Sequence, residues 1–123
     1  MVELPRTDAE IVLLHNPRCS KSRAAKELLE ARGVRFAERR YLDAPLSLDE
    51  LRDLAARLGR PPSEWVRTGE PAYAAAGLGA GSEADAILRA MAAHPALLER
   101  PVLVRGRRAV VGRPPERIAA LLD

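Results

Sequence analysis

Ile11-Val12-Leu13-Leu14-His15-Asn16-Pro17-Arg18-Cys19-Ser20 runs from an apolar stretch through a turn into a helix-like one. The four apolar residues, mostly branched, predict a short buried strand over residues 10–15, which Asn16-Pro17 ends. Beyond Cys19, Ala24, Ala25, Leu28, Leu29 and Ala31 keep helical spacing over residues 20–32, and Gly33 is placed to terminate the helix. A second strand is expected at about 35–41, with Val34, Phe36 and Ala37 facing inward, before Asp43-Ala44-Pro45 turns the chain. Strand, helix and strand in so short a length imply a parallel crossover.

Working outward, Ser47-Leu48-Asp49-Glu50 is a capping box that opens a helix with Leu48, Leu51, Leu54 and Leu58 on one face and Gly59 near its end. Shorter helices are expected from Pro62 to Val66 and from Ala72 to Ala76. After the glycine-rich break at residues 77–81, Ser82 opens another, with Ala86, Ile87, Ala90 and Met91 as its apolar face and Pro95 as its end. Val102-Leu103-Val104 and Ala109-Val110-Val111, joined by Arg105-Gly106-Arg107, read as a hairpin. Pro114 suits the first turn of a last helix in which Ile118, Leu121 and Leu122 face inward. The order β-α-β, helical insertion at about 46–98, β-β-α describes an α/β chain with a mixed sheet covered by helices.

With 123 residues there is enough chain for one core and too little for two, so residues 1–123 are expected to form a single domain. One cysteine cannot close an internal disulfide, and His15 and His94 lack the spacing of a metal site, so no metal is expected. No apolar segment nears the ~20 residues needed to cross a bilayer, and the polar start of the chain carries charges of both signs. A cytoplasmic protein without a membrane partner is the expectation. The net charge of +3 is dispersed among acids, and one Phe, one Trp and two Tyr offer little for bases to stack on, which argues against nucleic acid. Arginine outnumbers lysine 18 to 2, and arginine is the residue better suited to gripping an oxyanion.

Chemistry centres on Cys19. A free thiol titrates near pH 8.5, but helix N-terminal amides and neighbouring cations favour the thiolate, and Arg18, Lys21 and Arg23 flank this one. The same amides can hold an anion. The alternative role for Cys19 is that of a small buried hydrophobe. Ser22, three residues on, could donate its hydroxyl to the sulfur or simply cap the helix; His15 could orient the loop or serve the core. Arg67, Arg100 and Arg113 each stand at the end of an element, where a side chain can reach a shared cleft or remain a solvated charge. Arg57 reads as a surface charge.

His15-Asn16-Pro17-Arg18-Cys19 resembles the His-Asn-Pro-x-Cys signature of the glutaredoxin-coupled arsenate reductases, and the resemblance extends from about Ile11 to Leu122. It implies a thioredoxin-like fold carrying a helical insertion. It also implies that three arginines bind arsenate: Arg67 in Trp65-Val66-Arg67, Arg100 in Arg100-Pro101-Val102 and Arg113 in Gly112-Arg113-Pro114, with Pro101 as the cis-proline. Ser20 replaces a glycine of the family's usual loop. On this resemblance Cys19 attacks arsenate to form a covalent adduct, and the arginines neutralise the developing oxyanion. Lacking a second cysteine, the chain would rely on glutathione as co-substrate and on glutaredoxin as partner, with no bound cofactor. Two other readings share the fold. One is an Spx-type regulator that binds RNA polymerase, disfavoured because the Cys-x-x-Cys switch many of them carry is here Cys19 and Ser22. The other is a glutathione-dependent thiol reductase acting on a different substrate.

Overall fold

The computed structural model describes residues 2–122; residues 1 and 123, the ends of the expected domain, lie outside the described residues. In chain order come β1 (Ile11–His15), α1 (Ser20–Ala31), β2 (Ala37–Arg40), α2 (Leu48–Leu58), α3 (Pro71–Ala75), α4 (Ala84–Ala93), β3 (Val102–Arg105) and β4 (Arg108–Val111). Short 3-10 helices lie at Pro62–Glu64, Pro95–Leu97 and Pro115–Leu121. The chain forms two compact units, one of residues up to Ala44 and from Arg100 onward, the other Pro45–Glu99.

The first unit is built on a four-stranded sheet in the order β2-β1-β3-β4. β1 runs parallel to β2 and antiparallel to β3, which pairs antiparallel with β4. This is a thioredoxin-like arrangement. β1 takes a central place because its apolar run suits both faces: Val12, Leu13 and Leu14 are all buried. On the face covered by α1 and the last 3-10 helix, Leu13, Ala25, Leu29, Leu103, Ile118 and Leu121 form one cluster. Each leucine removed from water there contributes about 1.5–3 kcal/mol. The β3–β4 hairpin closes through Gly106-Arg107; Gly106 has φ +55°, the left-handed conformation required at the first position of such a two-residue turn.

In the second unit α2 starts at the expected capping box: Ser47 Oγ accepts from the Glu50 amide, and Glu50 returns a carboxylate to the Ser47 amide. α2 ends at Gly59 with φ +64°. α4 packs against α2 and both 3-10 turns of this unit. Leu51, Leu54, Leu58, Trp65, Ile87, Leu88 and Met91 are buried, and the Trp65 indole donates to the Arg60 carbonyl at 3.1 Å.

Several local expectations change. Ala24, Ala31 and Ala37 are exposed, because α1 turns Ser22, Ala25 and Leu29 inward and β2 buries Arg39 instead. Arg39 is accommodated by donating to the carbonyls of Ala44 and Val2. α4 begins at Ala84 with Glu83 as its cap, since the Ser82 hydroxyl accepts from the Gly79 amide and closes the preceding loop; its buried face is Ile87, Leu88 and Met91, leaving Ala86 exposed. Trp65 follows its 3-10 turn rather than lying within a helix. The last helix is 3-10 throughout, starting at Pro115, with Leu122 only half-buried. Arg57 is buried on α2 and donates to Asp53 one turn earlier at 2.9 Å.

Candidate active site

Asn16-Pro17-Arg18 turns the chain directly from β1 into α1, and Cys19 is the N-cap of that helix, with extended φ −97° and ψ 124°. The turn is tied internally. The Cys19 amide donates to the Asn16 carbonyl at 3.0 Å, the Arg18 amide to Asn16 Oδ1 at 3.0 Å, and Arg23 reaches back to the Pro17 carbonyl. Asn16, itself buried, thus fixes the backbone on both sides of Arg18. Sequence reasoning did not single it out, although an asparagine before proline at a strand end is a turn-forming signal. Cys19 is half-buried, at the head of the helix where free amides point outward.

His15 and Ser22, both buried, face each other across this turn. Nδ1 of His15 and Oγ of Ser22 share a hydrogen bond of 2.7 Å whose direction follows the imidazole tautomer, and the Asn16 amide donates to the same hydroxyl at 3.0 Å. The hydroxyl, which the sequence left open between serving the sulfur and capping the helix, is engaged by His15 and Asn16. Burial holds the His15 imidazole below the usual histidine range; Glu38 pulls the other way, and Lys26, Arg40 and Arg23 add to the lowering. Glu38 in turn is held below the usual carboxylate range, first by the hydrogen bond from Lys26 at 2.8 Å and then, against some desolvation, by Arg40.

Strand register brings two of the three arginines to the same end of the sheet as Cys19. Leu14 of β1 pairs with Val102 of β3, so one step further His15 stands opposite Pro101. Val102 pairs with Val111 of β4, and beyond it the Gly112 amide donates to the Pro101 carbonyl at 2.8 Å. Arg100 and Arg113 are the next residues on these two chains. The Arg100–Pro101 peptide bond is cis, and so is Arg113–Pro114. Gly112 is wedged in this corner: a Cβ there would lie 2.9 Å from both Pro101 Cγ and Ile118 Cγ2. Cys19, Arg100 and Arg113 thus share one end of the first unit.

Arg67 belongs to the second unit. A single antiparallel bridge between Val66 and Leu98 sets it opposite Leu97 and diagonal to Glu99: its amide donates to the Leu97 carbonyl at 2.8 Å, and the Glu99 amide to the Trp65 carbonyl at 3.0 Å. The Arg67 guanidinium donates through Nη1 to Glu70 at 2.5 Å, and its Nε lies 3.8 Å from Glu99 Oε1. Neither carboxylate was singled out from the sequence. Among the described residues no three His, Cys, Asp or Glu side chains cluster as metal ligands, and no helix is long and apolar enough to cross a membrane.

Comparison with known proteins gives the family. A protein of Neisseria meningitidis serogroup A named arsenate reductase is 48% identical over 115 residues, covering 92% of this chain and 98% of its own. One of Haemophilus influenzae, also named arsenate reductase, is 35% identical over 114 residues, covering 91% and 98%. Among solved structures, the arsenate reductase from Vibrio cholerae superposes with a TM-score of 0.86 at 38% identity, covering 91% of this chain and 97% of that one. The ArsC family matches residues 14–121, nearly the whole sequence and both units, and the chain belongs to that family.

Proposed function

We propose that the protein is an arsenate reductase in which Cys19 is the nucleophile and glutathione with glutaredoxin supplies the electrons. The observation that carries this reading is the shared position of the Cys19 loop, Arg100 and Arg113 at one sheet end, in a chain whose relatives bear the name arsenate reductase. The Cys19 thiolate displaces one oxygen of arsenate, which leaves as water after protonation, and a sulfur–arsenic(V) bond forms. Arg100 and Arg113 present cationic forks to the remaining oxygens as negative charge builds up. Arg67 is assigned a third contact by its Trp65-Val66-Arg67 motif.

Reduction needs two electrons that a single cysteine cannot deliver without remaining oxidised. Glutathione attacks the arsenic and displaces a second oxygen as water; the glutaredoxin thiolate then attacks the glutathione sulfur, forming a mixed disulfide while the electron pair of the broken sulfur–arsenic bond passes to arsenic. Arsenic(V) becomes arsenic(III), and hydrolysis of the sulfur–arsenic bond restores the Cys19 thiol. In total, arsenate and two thiols give arsenite, one disulfide and one water.

The test is arsenate-dependent NADPH consumption with glutathione, glutaredoxin and glutathione reductase, comparing the native chain with Cys19→Ser. Activity in the native chain and none in a folded Cys19→Ser supports the reading. Persisting turnover in the variant removes Cys19 from its role, and an inactive but folded native chain removes arsenate reduction.

A further inference from the structure

Arg67, read above as an oxyanion ligand, already faces two carboxylates. Glu70 sits on its Nη1, and Glu99 stands beside its Nε. All three side chains are about one-quarter exposed, with 26% for Arg67, 26% for Glu70 and 24% for Glu99. The arrangement is built in by the backbone. The antiparallel bridge that pairs Val66 with Leu98 sets Arg67 opposite Leu97 and Glu99 opposite Trp65, so Arg67 and Glu99 lie diagonally on one face, and the Glu70 amide donates to the Arg67 carbonyl at 3.3 Å, closing a turn that returns its side chain to the guanidinium. A guanidinium has five donors in a planar fork, and a tetrahedral oxyanion bound in two-pronged fashion uses one edge of it. Glu70 takes the Nη1 donor, and Glu99 stands within ion-pair range of Nε, so each of the two edges has a carboxylate at one of its prongs.

We propose that Glu70 and Glu99 act as internal competitors for Arg67, Glu70 holding a donor and Glu99 adding its charge beside Nε, so that an oxyanion binds there only by displacing them. The proposal rests on the reading of Arg67 as an oxyanion ligand. Its consequence is a deliberately weak reversible affinity: tetrahedral anions such as phosphate, which form no bond to the thiol, gain little from the site. An ion pair of this exposure is worth at most about 1 kcal/mol, so releasing one carboxylate tightens anion binding by about five-fold.

The experiment is calorimetric titration of the full chain with arsenate and separately with inorganic phosphate, in a Cys19→Ser background so that no adduct forms. Glu99→Gln and Glu70→Gln are each expected to tighten binding of both anions by about five-fold. Glu64→Gln, which removes a carboxylate paired with Arg60 instead, is expected to leave it within two-fold. Glu99→Gln placed in Arg67→Ala is expected to gain nothing, because the competition exists only through Arg67. Unchanged or weaker binding in the Glu70 and Glu99 variants, where Arg67→Ala does weaken it, overturns the competitor role and leaves the Arg67 reading standing. An equal gain from Glu64→Gln, or a gain that survives in Arg67→Ala, reduces the effect to net charge and overturns it as well. Arsenate affinity indifferent to Arg67→Ala overturns the Arg67 reading and the proposal together.

Discussion

Residues 45–99 carry five arginines against eight carboxylates, a net charge of −3, while the rest of the chain carries +6; together they give the chain's +3. The five arginines of the inserted unit are all ion-paired: Arg52 with Asp49 and Asp85, Arg57 with Asp53, Arg60 with Glu64, Arg67 with Glu70 and Glu99, and Arg89 with Asp85. In the sheet unit, by contrast, the Arg18 and Lys21 side chains beside Cys19 meet no carboxylate among the described residues. Every arginine of the inserted unit is neutralised within that unit, whereas in the sheet unit Lys26 and Arg40 are paired with Glu38 while Arg18 and Lys21, next to Cys19 in the chain, are not neutralised. The overall charge of +3 hides this division, which is why composition alone said little about substrate.

The contrast is broken or kept most clearly by arginine replacement. Arg113→Ala and Arg100→Ala are each expected to lower kcat/KM for arsenate by about 10- to 100-fold, the scale of one lost charge-assisted hydrogen bond at a transition state. Arg60→Ala, which removes an insert cation occupied by Glu64, is expected to leave kcat/KM within two-fold. Steady-state rates with the coupled assay decide it. Equal losses in all three variants would mean that diffuse positive charge, and not a sheet-end site, carries the reaction.

What the sequence disclosed and what it hid separate along the same physical line. Elements set by neighbours in the chain were legible: the four-residue apolar run of β1, the Ser47 capping box, the hairpin around Gly106. Features that depend on distant partners were not. Arg39 is buried because the carbonyl of Val2, 37 residues away, accepts from it, and no local pattern announces that. Ser22 could be placed on the helix facing its first turn, yet its actual partner, His15, is selected by how tightly residues 16–19 fold back. The three arginines were nameable by motif, whereas the neighbouring positions of Arg100 and Arg113 come from strand register, and Glu99 nears Arg67 through a single bridge between distant segments.

Backbone crowding distinguishes the corner at Gly112 from the loop at Gly79. Gly112 has no room for a Cβ against Pro101 and Ile118, whereas Gly79 in the insert has nothing within 4 Å. Gly112→Ala is expected to destabilise the chain by about 1–3 kcal/mol, the usual cost of forcing a methyl into a packed corner, and to weaken arsenate turnover by shifting Arg113. Gly79→Ala should unfold at the native urea concentration. Urea midpoints measured alongside kcat/KM sharpen the comparison, since a stable Gly112→Ala with normal turnover would show that the corner does not hold Arg113 in place.

The smallest expected effect is in pH dependence, where the two units should lose stability in different windows. Burial lowers the His15 pKa in the folded chain, so between the ordinary histidine value of about 6.5 and that lowered value the unfolded chain binds more protons than the folded one. Stability associated with a neutral His15 is therefore present above about pH 6.5 and declines as pH falls below it. Asp85, lowered by its hydrogen bonds from Arg89 and Arg52, follows the same sign, but its loss begins only as pH falls through the carboxylate range near 4. Between pH 7.5 and 5.5 the sheet unit's histidine is thus exposed to the change while the insert's Asp85 is not. The urea midpoint of the native chain should fall over that interval, and the fall should be smaller in His15→Gln, whose side chain does not titrate. An Asp85→Asn chain should retain the full fall, and if it instead loses the pH dependence while His15→Gln keeps it, the buried imidazole is not what couples this fold to protons.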